Sequence, residues 1–406
     1  LTTTEPARAS SAVRAPREGL SRPAAFWFTG ALYALFLMAS TAPSPMYSLY
    51  QQRWGFTTTV LTEVFAAYAV AILVALLLFG SLSDHVGRRP VLVVALGLEI
   101  VSMLLLAFAP GVGWLYAGRA LQGLATGVAT SAISGSLLDF QRPGSNRGAL
   151  VNGVSSAFGM ALGSLGAGAL VQFVPGPTLT SYLLLVLGFA LAVPGVLAMP
   201  EPVTQRGALR EALRPQRPTV PAGKGLTFTL MATTLLSSWT VGGMFMSLGP
   251  SVAKGMVDAS PHLVGGATVA VLTGLGGVGQ LLLSGLDARR AVRIAGPVMV
   301  VGLAGVAAST VAHQPLLFFT AAAVLGVGWG LMFMGGMRML TSLAPPEHRA
   351  GTSALIYVVA YLSAGVPSVT LGVVSTAFGL TTATVAFASA AALFAVVAVT
   401  STYLHR

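Results

Sequence analysis

Gly80-Ser81-Leu82-Ser83-Asp84-His85-Val86-Gly87-Arg88-Arg89-Pro90 is a short charged stretch between two apolar runs. The run before it, from about Val60 to Leu82, holds one charge, Glu63, and the run after it, from Val91 to Pro110, also holds one, Glu99. Each reaches the roughly 20 residues that a helix needs to cross about 30 Å of hydrocarbon, and the connector has room only for a hairpin. Gly80 and Gly87 permit a tight turn, Asp84 lies within one or two helical turns of Arg88 and Arg89, and Pro90 suits the first turn of the next helix. The stretch predicts two membrane-crossing helices joined by a turn that pairs charges at the membrane surface.

Composition extends this to the whole chain. A sequence of 406 residues that is 55% hydrophobic and 8% charged, with a mean hydropathy of +0.81, lacks the polar residues to cover a soluble surface. It reads as an integral membrane protein in a lipid bilayer. The absence of cysteine excludes disulfides, thiolate catalysis and cysteine metal ligands. His85, His262, His313, His348 and His405 have no metal-ligand spacing. No cluster of acid, base and nucleophile recurs at helical spacing, and no G-x-x-x-x-G-K-[ST] loop occurs, so neither an enzyme, nor a cofactor, nor direct use of ATP is expected. The net charge of +11 could suggest nucleic acid, but the basic residues follow a membrane topology instead.

Twelve apolar runs can be counted, at about 26–49, 60–82, 90–109, 113–138, 148–172, 178–199, 226–250, 263–285, 294–312, 315–340, 350–374 and 380–403. Residues 1–24 carry Arg8, Arg14, Arg17 and Arg22 among Ala, Ser, Pro and Thr, and read as a disordered tail. A signal peptide is the other reading of that segment, but the run from Phe26 is longer than such a peptide's apolar core. Residues 201–225 form the one long polar connector, dividing an N-terminal six-helix unit (25–200) from a C-terminal one (226–406). Lys and Arg collect in cytoplasmic loops. With the N-terminus inside, all of the 22 basic residues except Arg53, Lys254 and Arg119 fall on the cytoplasmic side. Both termini are expected in the cytoplasm of a multi-pass cell-membrane protein, acting as a monomer.

The stretch at Gly80 resembles the signature loop of the major facilitator superfamily, G-x-L-x-D-x-x-G-R-R between the second and third transmembrane helices, and matches it at every specified position. Ser284-Gly285-Leu286-Asp287-Ala288-Arg289-Arg290 looks like a worn copy at the corresponding place in the second half. The resemblance implies an all-α membrane fold of twelve helices in two pseudo-symmetric bundles, with a binding site between them. It further implies that Asp84, Arg88, Arg89 and Asp139 form a cytoplasmic charge latch that holds the two bundles in the outward-open state.

Arg119 lies within the fourth run, where an unpaired guanidinium is costly, so it should face the interior with a partner or else snorkel outward. Gly118-Arg119-Ala120-Leu121-Gln122-Gly123 resembles the family's fourth-helix motif, R-x-x-x-G, which implies a role in proton coupling or anion binding. Glu99 is the deepest carboxylate and lies within reach of Arg119 on the adjacent helix, so a Glu99–Arg119 pair opened by protonation is expected, with a buried neutral carboxyl as the alternative. Glu63 is the third candidate for proton coupling, although a carboxylate near a helix N-terminus is also favoured by the helix dipole. Gly159-Met160-Ala161-Leu162-Gly163-Ser164-Leu165-Gly166-Ala167-Gly168 resembles the antiporter motif G-x-x-x-G-P-x-x-G-G, departing at Ser164 and Ala167; close helix packing explains the same glycines.

By the same resemblance the cavity walls are runs one, four, seven and ten. They supply Tyr33, Phe36, Met38 and Tyr47, Gln122 and Thr126, Trp239, Met244, Phe245 and Met246, and Trp329, Met332, Phe333 and Met334, or else these side chains pack between helices. Aromatic and methionine surfaces are adaptable and apolar. The expected activity is proton-coupled efflux of a small hydrophobic or amphipathic substrate by alternating access. A permease for a sugar or other metabolite, or a membrane sensor without transport, are the alternatives.

Overall fold

A computed structural model describes residues 19–203, 207–208, 213, 215–220, 223–257, 261–343 and 349–404. The expectations for residues 1–18, for Arg206, Arg210 and Arg214 of the connector, and for Arg406 lie outside them.

The first run becomes α1 (Arg22–Thr41) and α2 (Pro43–Trp54) rather than one helix. The cause is local: Pro43 and Pro45 have no N–H to return to the carbonyls four residues back. The signature hairpin is α3 (Thr58–Phe79), the short α4 (Leu82–Val86) and α5 (Arg88–Ala107). Then follow α6 (Val112–Phe140), α7 (Arg147–Phe173) and α8 (Pro177–Ala198). The second half contains α9 (Gly225–Ser247), the short α10 (Gly249–Lys254), α11 (Pro261–Leu282), α12 (Ala288–Ala312), α13 (Pro315–Ser342), α14 (Arg349–Phe378) and α15 (Leu380–Leu404). The ninth run starts earlier than its apolar residues suggest, because Asp287 accepts a hydrogen bond from the Arg290 N–H at 2.9 Å and caps α12. Arg289, Arg290 and Arg293 thereby fall on the helix.

Among the described residues, ten of the long helices, with α1 and α2 taken together, are long and apolar enough to cross a membrane. The two others, α6 and α9, carry buried polar residues: Arg119, Gln122, Thr126 and Thr130 on one, Thr234, Ser237, Ser238 and Thr240 on the other. Their polarity is turned inward. Side chains such as Phe108, Leu191, Leu282 and Val301 are exposed on the outer surface instead, as a lipid-facing belt requires.

Glycine sets how closely the helices approach. Gly123 and Gly127 on α6 lie against the backbone of α3, Gly159 and Gly163 on α7 against that of α1 at Ala34 and Met38, and Gly330 on α13 against that of α11 at Gly276. The two bundles meet along two seams. In one, α7 packs on α11, with Ala157 at Gly277, Ala161 at Gly274 and Ser164 at Gly266; in the other, α3 packs on α14, with Ala69 at Gly365 and Thr62 at Gly372. At the end remote from the charged turn, the Thr59 and Thr376 hydroxyls hydrogen-bond at 3.0 Å across the second seam. The result is an all-helical fold of two six-helix bundles enclosing a central space.

Candidate functional site

Three groups of residues can be assembled, starting at the charged turn. Gly87 has φ +114°, a conformation open to glycine, and it releases the chain from α4 straight into α5. Arg88 then turns into the angle between α5 and α6, where its Nη1 meets Asp84 Oδ1 at 2.5 Å and its Nε meets Asp139 Oδ2 at 3.1 Å. Its Nη1 also donates to Ser83 Oγ at 2.6 Å. The guanidinium occupies the space that a side chain at position 135 would need, which accounts for Gly135. All of these partners belong to the first bundle. Asp84, Arg88 and Asp139 of the expected latch are thus brought together, and among the described residues their cluster ties α4, α5 and α6. Arg89 stays out of it, and its buried Nε has no partner among the described residues.

Glu201 was read as a connector residue, yet it completes this turn. Its two carboxylate oxygens accept the backbone N–H groups of Arg88 and Arg89, each at 2.9 Å, and one of them also accepts Val203 N–H at 3.2 Å. An anion at the start of α5 satisfies orphan donors and suits the helix dipole. In the worn second copy the arrangement differs, with Arg338 donating to the carbonyls of Ser284 and Leu286 at 3.0–3.1 Å.

The second group surrounds Arg119, which is 1% exposed, so it does not snorkel. Its Nη1 donates to Ser40 O at 3.0 Å and to Gln122 Oε1, and its guanidinium lies 4.0 Å from the centre of the Tyr68 ring. Gln122 donates from Nε2 to Ala39 O at 2.9 Å and to Glu99 Oε1 at 3.3 Å. Ala39 is the residue whose carbonyl Pro43 cannot reach, so the break between α1 and α2 supplies an acceptor that a continuous helix would consume. A direct Glu99–Arg119 pair is not formed; Gln122 stands between them. Glu99 Oε2, Arg119 Nε, Thr126 Oγ1 and Tyr47 OH have no partner among the described residues, although unpaired buried polar atoms are rare. This layer is unusually polar and only partly satisfied.

Glu63 is not part of it. Tyr116 OH donates to Glu63 Oε2 at 2.6 Å, in a groove between α3 and α6 on the outer face that Val369 closes from α14. Helical phase is the reason: Glu63 shares a face with Ala67, Val70 and Val74, away from Tyr68 and Ile72.

The third group is the central cavity, with a volume of about 160 Å³. Of the side chains expected in its wall, Tyr33, Trp239, Met246, Trp329 and Phe333 are there. Phe36, Met38, Tyr47, Gln122, Thr126, Met244, Phe245, Met332 and Met334 are not, because their helix faces turn to neighbours: Phe36 packs on Phe189 and Phe245 stacks on Phe318. In their place come Phe65 and Tyr68 from α3, Asn152, Ser156 and Met160 from α7, Gln280 from α11 and Tyr357 and Tyr361 from α14. Trp239 packs against Tyr361 with ring centres 4.7 Å apart and against Phe333 at 6.2 Å. No lining residue carries a charge. Arg119 reaches the cavity through Tyr68 and Ser40, which both line it and both touch the guanidinium.

Known proteins agree with this architecture. A crystal structure of a POT family transporter in complex with 5-aminolevulinic acid superposes with a TM-score of 0.75 at 11% identity, covering 94% of this chain and 96% of that one. A crystal structure of the nucleoside transporter NupG (D323A mutant) gives 0.70 at 12% identity, covering 93% and 99%. At such identity the likeness is one of fold. The sequence model of the Major Facilitator Superfamily matches residues 29–368. With that match spanning most of the chain, on a fold of two six-helix bundles around a central cavity, the protein belongs to the Major Facilitator Superfamily and is a multi-pass secondary transporter.

Proposed function

We propose that the chain is a proton-coupled antiporter that exports a small hydrophobic or amphipathic compound by alternating access. The wall of the cavity carries this reading. Tyr33, Phe65, Tyr68, Trp239, Trp329, Phe333, Tyr357 and Tyr361 surround a space without a charged side chain, which suits an apolar solute, neutral or with a delocalised positive charge. A sugar needs a ring of amide and carboxylate groups; here the amides are Asn152 and Gln280, and the other polar atoms are the hydroxyls of Ser40, Thr130, Ser156 and four tyrosines and the indole N–H groups of Trp239 and Trp329. Those amides and hydroxyls are the observation that favours a metabolite permease as the second reading.

Coupling is assigned to Glu99, Gln122 and Arg119. A proton on Glu99 weakens its hold on Gln122, and Gln122 shares with Arg119 the carbonyls of Ala39 and Ser40 at the break in α1. Ser40 lines the cavity, so protonation is felt at the substrate. Glu63, on the other side of α3, is left out of this path. The Arg88 cluster acts as a weak fastener worth about 1 kcal/mol, since pairs of partly exposed charges contribute little, and it lets the first bundle move as a unit while the bundles rock. The protein acts as a monomer in the cell membrane with both termini in the cytoplasm, its halves at 25–200 and 226–406.

An uptake assay in everted vesicles tests the substrate class. Energised vesicles should accumulate labelled apolar cations or neutral amphiphiles and ignore labelled sugars, and Trp239→Ala should lower that accumulation. Sugar uptake without transport of apolar compounds would transfer the assignment to the permease reading.

A further inference from the structure

The groove at Glu63 takes no part in the cycle described above. An acidic side chain within a membrane span ordinarily faces the protein interior and its partners. Glu63 instead lies in an outward groove, and among the described residues its one hydrogen bond is the 2.6 Å contact from Tyr116. The groove, of about 500 Å³, is floored by alanines and edged by Val70, Val74, Leu124 and Val369. Val70 and Val74 are 52% and 40% exposed, so it opens toward lipid. Glu63 sits in the second turn of α3, toward the end remote from the charged turn, and Val74 lies as far past the middle of the helix as Glu63 lies before it. Their separation is about 16 Å at 1.5 Å per residue. The groove is thus an apolar trough along the middle of α3 with a carboxylate at its end remote from the charged turn.

We propose that this trough binds a cationic amphiphile, with an ammonium head at Glu63 and a single alkyl chain lying along Val70 and Val74. Charge complementarity selects the head, and the length and apolarity of the trough select the tail. A zwitterionic phospholipid is a poorer match, because no lining residue is basic and its phosphate would find no cation. Val369 belongs to the second bundle and the other walls to the first. The occupant therefore touches both bundles beside the α3–α14 seam, and its affinity changes as the bundles move relative to each other. The site is separate from the central cavity and stands whatever the transported compound is.

The test uses the full chain in phosphatidylcholine nanodiscs and dodecylammonium carrying a photoreactive group at the end of its tail, with adducts mapped by mass spectrometry. Labelling should concentrate around Val70, Val74 and Leu124. A nonionic probe with the same tail should label these positions no more than other lipid-facing ones such as Leu191. Glu63→Gln removes a charge-assisted contact and should reduce the concentrated labelling by at least about tenfold. Val70→Trp, which fills the trough and leaves the carboxylate intact, should do the same, and it decides the matter if Glu63→Gln does not fold. Adducts spread evenly over the lipid-facing helices, adducts confined to the central cavity, or labelling unchanged in the folded variants would overturn the proposal.

Discussion

Gln122 Nε2 donates to Ala39 O at 2.9 Å, occupying the carbonyl that Pro43 leaves free at the break between α1 and α2. One glutamine on α6 thereby connects a buried carboxylate, Glu99, to a backbone kink beside the cavity. Gln122→Leu should break that connection. Three buried hydrogen bonds disappear, those to Ala39 O, Glu99 and Arg119, at about 1–3 kcal/mol for each group left unsatisfied, so thermal stability should fall by several degrees. Substrate-driven proton movement should fall further than substrate counterflow, measured in the same liposomes. Equal losses in the two assays would mean that Gln122 only supports the fold.

The Thr59–Thr376 contact joins α3 of the first bundle to α14 of the second. Rocking of the bundles has to separate it. Because the chain has no native cysteine, the double variant Thr59→Cys/Thr376→Cys can be cross-linked specifically. Oxidation should stop turnover and a reducing agent should restore it. Undiminished transport by the fully cross-linked protein would refute alternating access at this seam.

Two glycines on facing helices should differ sharply in their tolerance of a methyl group. A Cβ at Gly330 would fall on the backbone of Gly276, whereas one at Gly274 would meet the Ala161 side chain at 3.5 Å, an ordinary contact. Gly330→Ala should cost about 1–3 kcal/mol, the usual range for overpacking, and lower the melting temperature in detergent. Gly274→Ala should leave it nearly unchanged.

Glu201 and Asp84 act on the same turn in different ways. Glu201→Ala removes the acceptor for the first N–H groups of α5 and should destabilise the folded protein by about 1 kcal/mol, as loss of a helix cap does. Asp84→Asn weakens one arm of the Arg88 cluster and should lower turnover while leaving the melting temperature in place. Normal turnover in Asp84→Asn would remove the cluster from the transport cycle.

The order and number of the spans were legible because charges, prolines and glycines gather in the turns, and the spans between them hold very few charges. The signature turn was legible for the same reason, since Asp84 and Arg88 are four residues apart and pair locally. Which face of each helix looks into the cavity was not. Spans surrounded by apolar neighbours are apolar on every side, so Met244 and Met246 read alike in sequence although one is buried against neighbouring helices and the other lines the cavity. Polar side chains within the apolar runs were the better guide, and Tyr68, Asn152, Gln280, Tyr357 and Tyr361 could have been found that way. Glu201 gave no such sign, because the amides it caps lie more than a hundred residues away.

The most direct test of proton-coupled export places the purified protein in liposomes containing an internal pH dye, imposes a pH gradient, and adds apolar cationic, neutral and anionic compounds in turn. The account predicts proton movement that depends on an apolar cationic or neutral compound and is lost in Arg119→Ala. Apolar compounds that move no protons, alongside labelled sugars or metabolites that do cross, would contradict it.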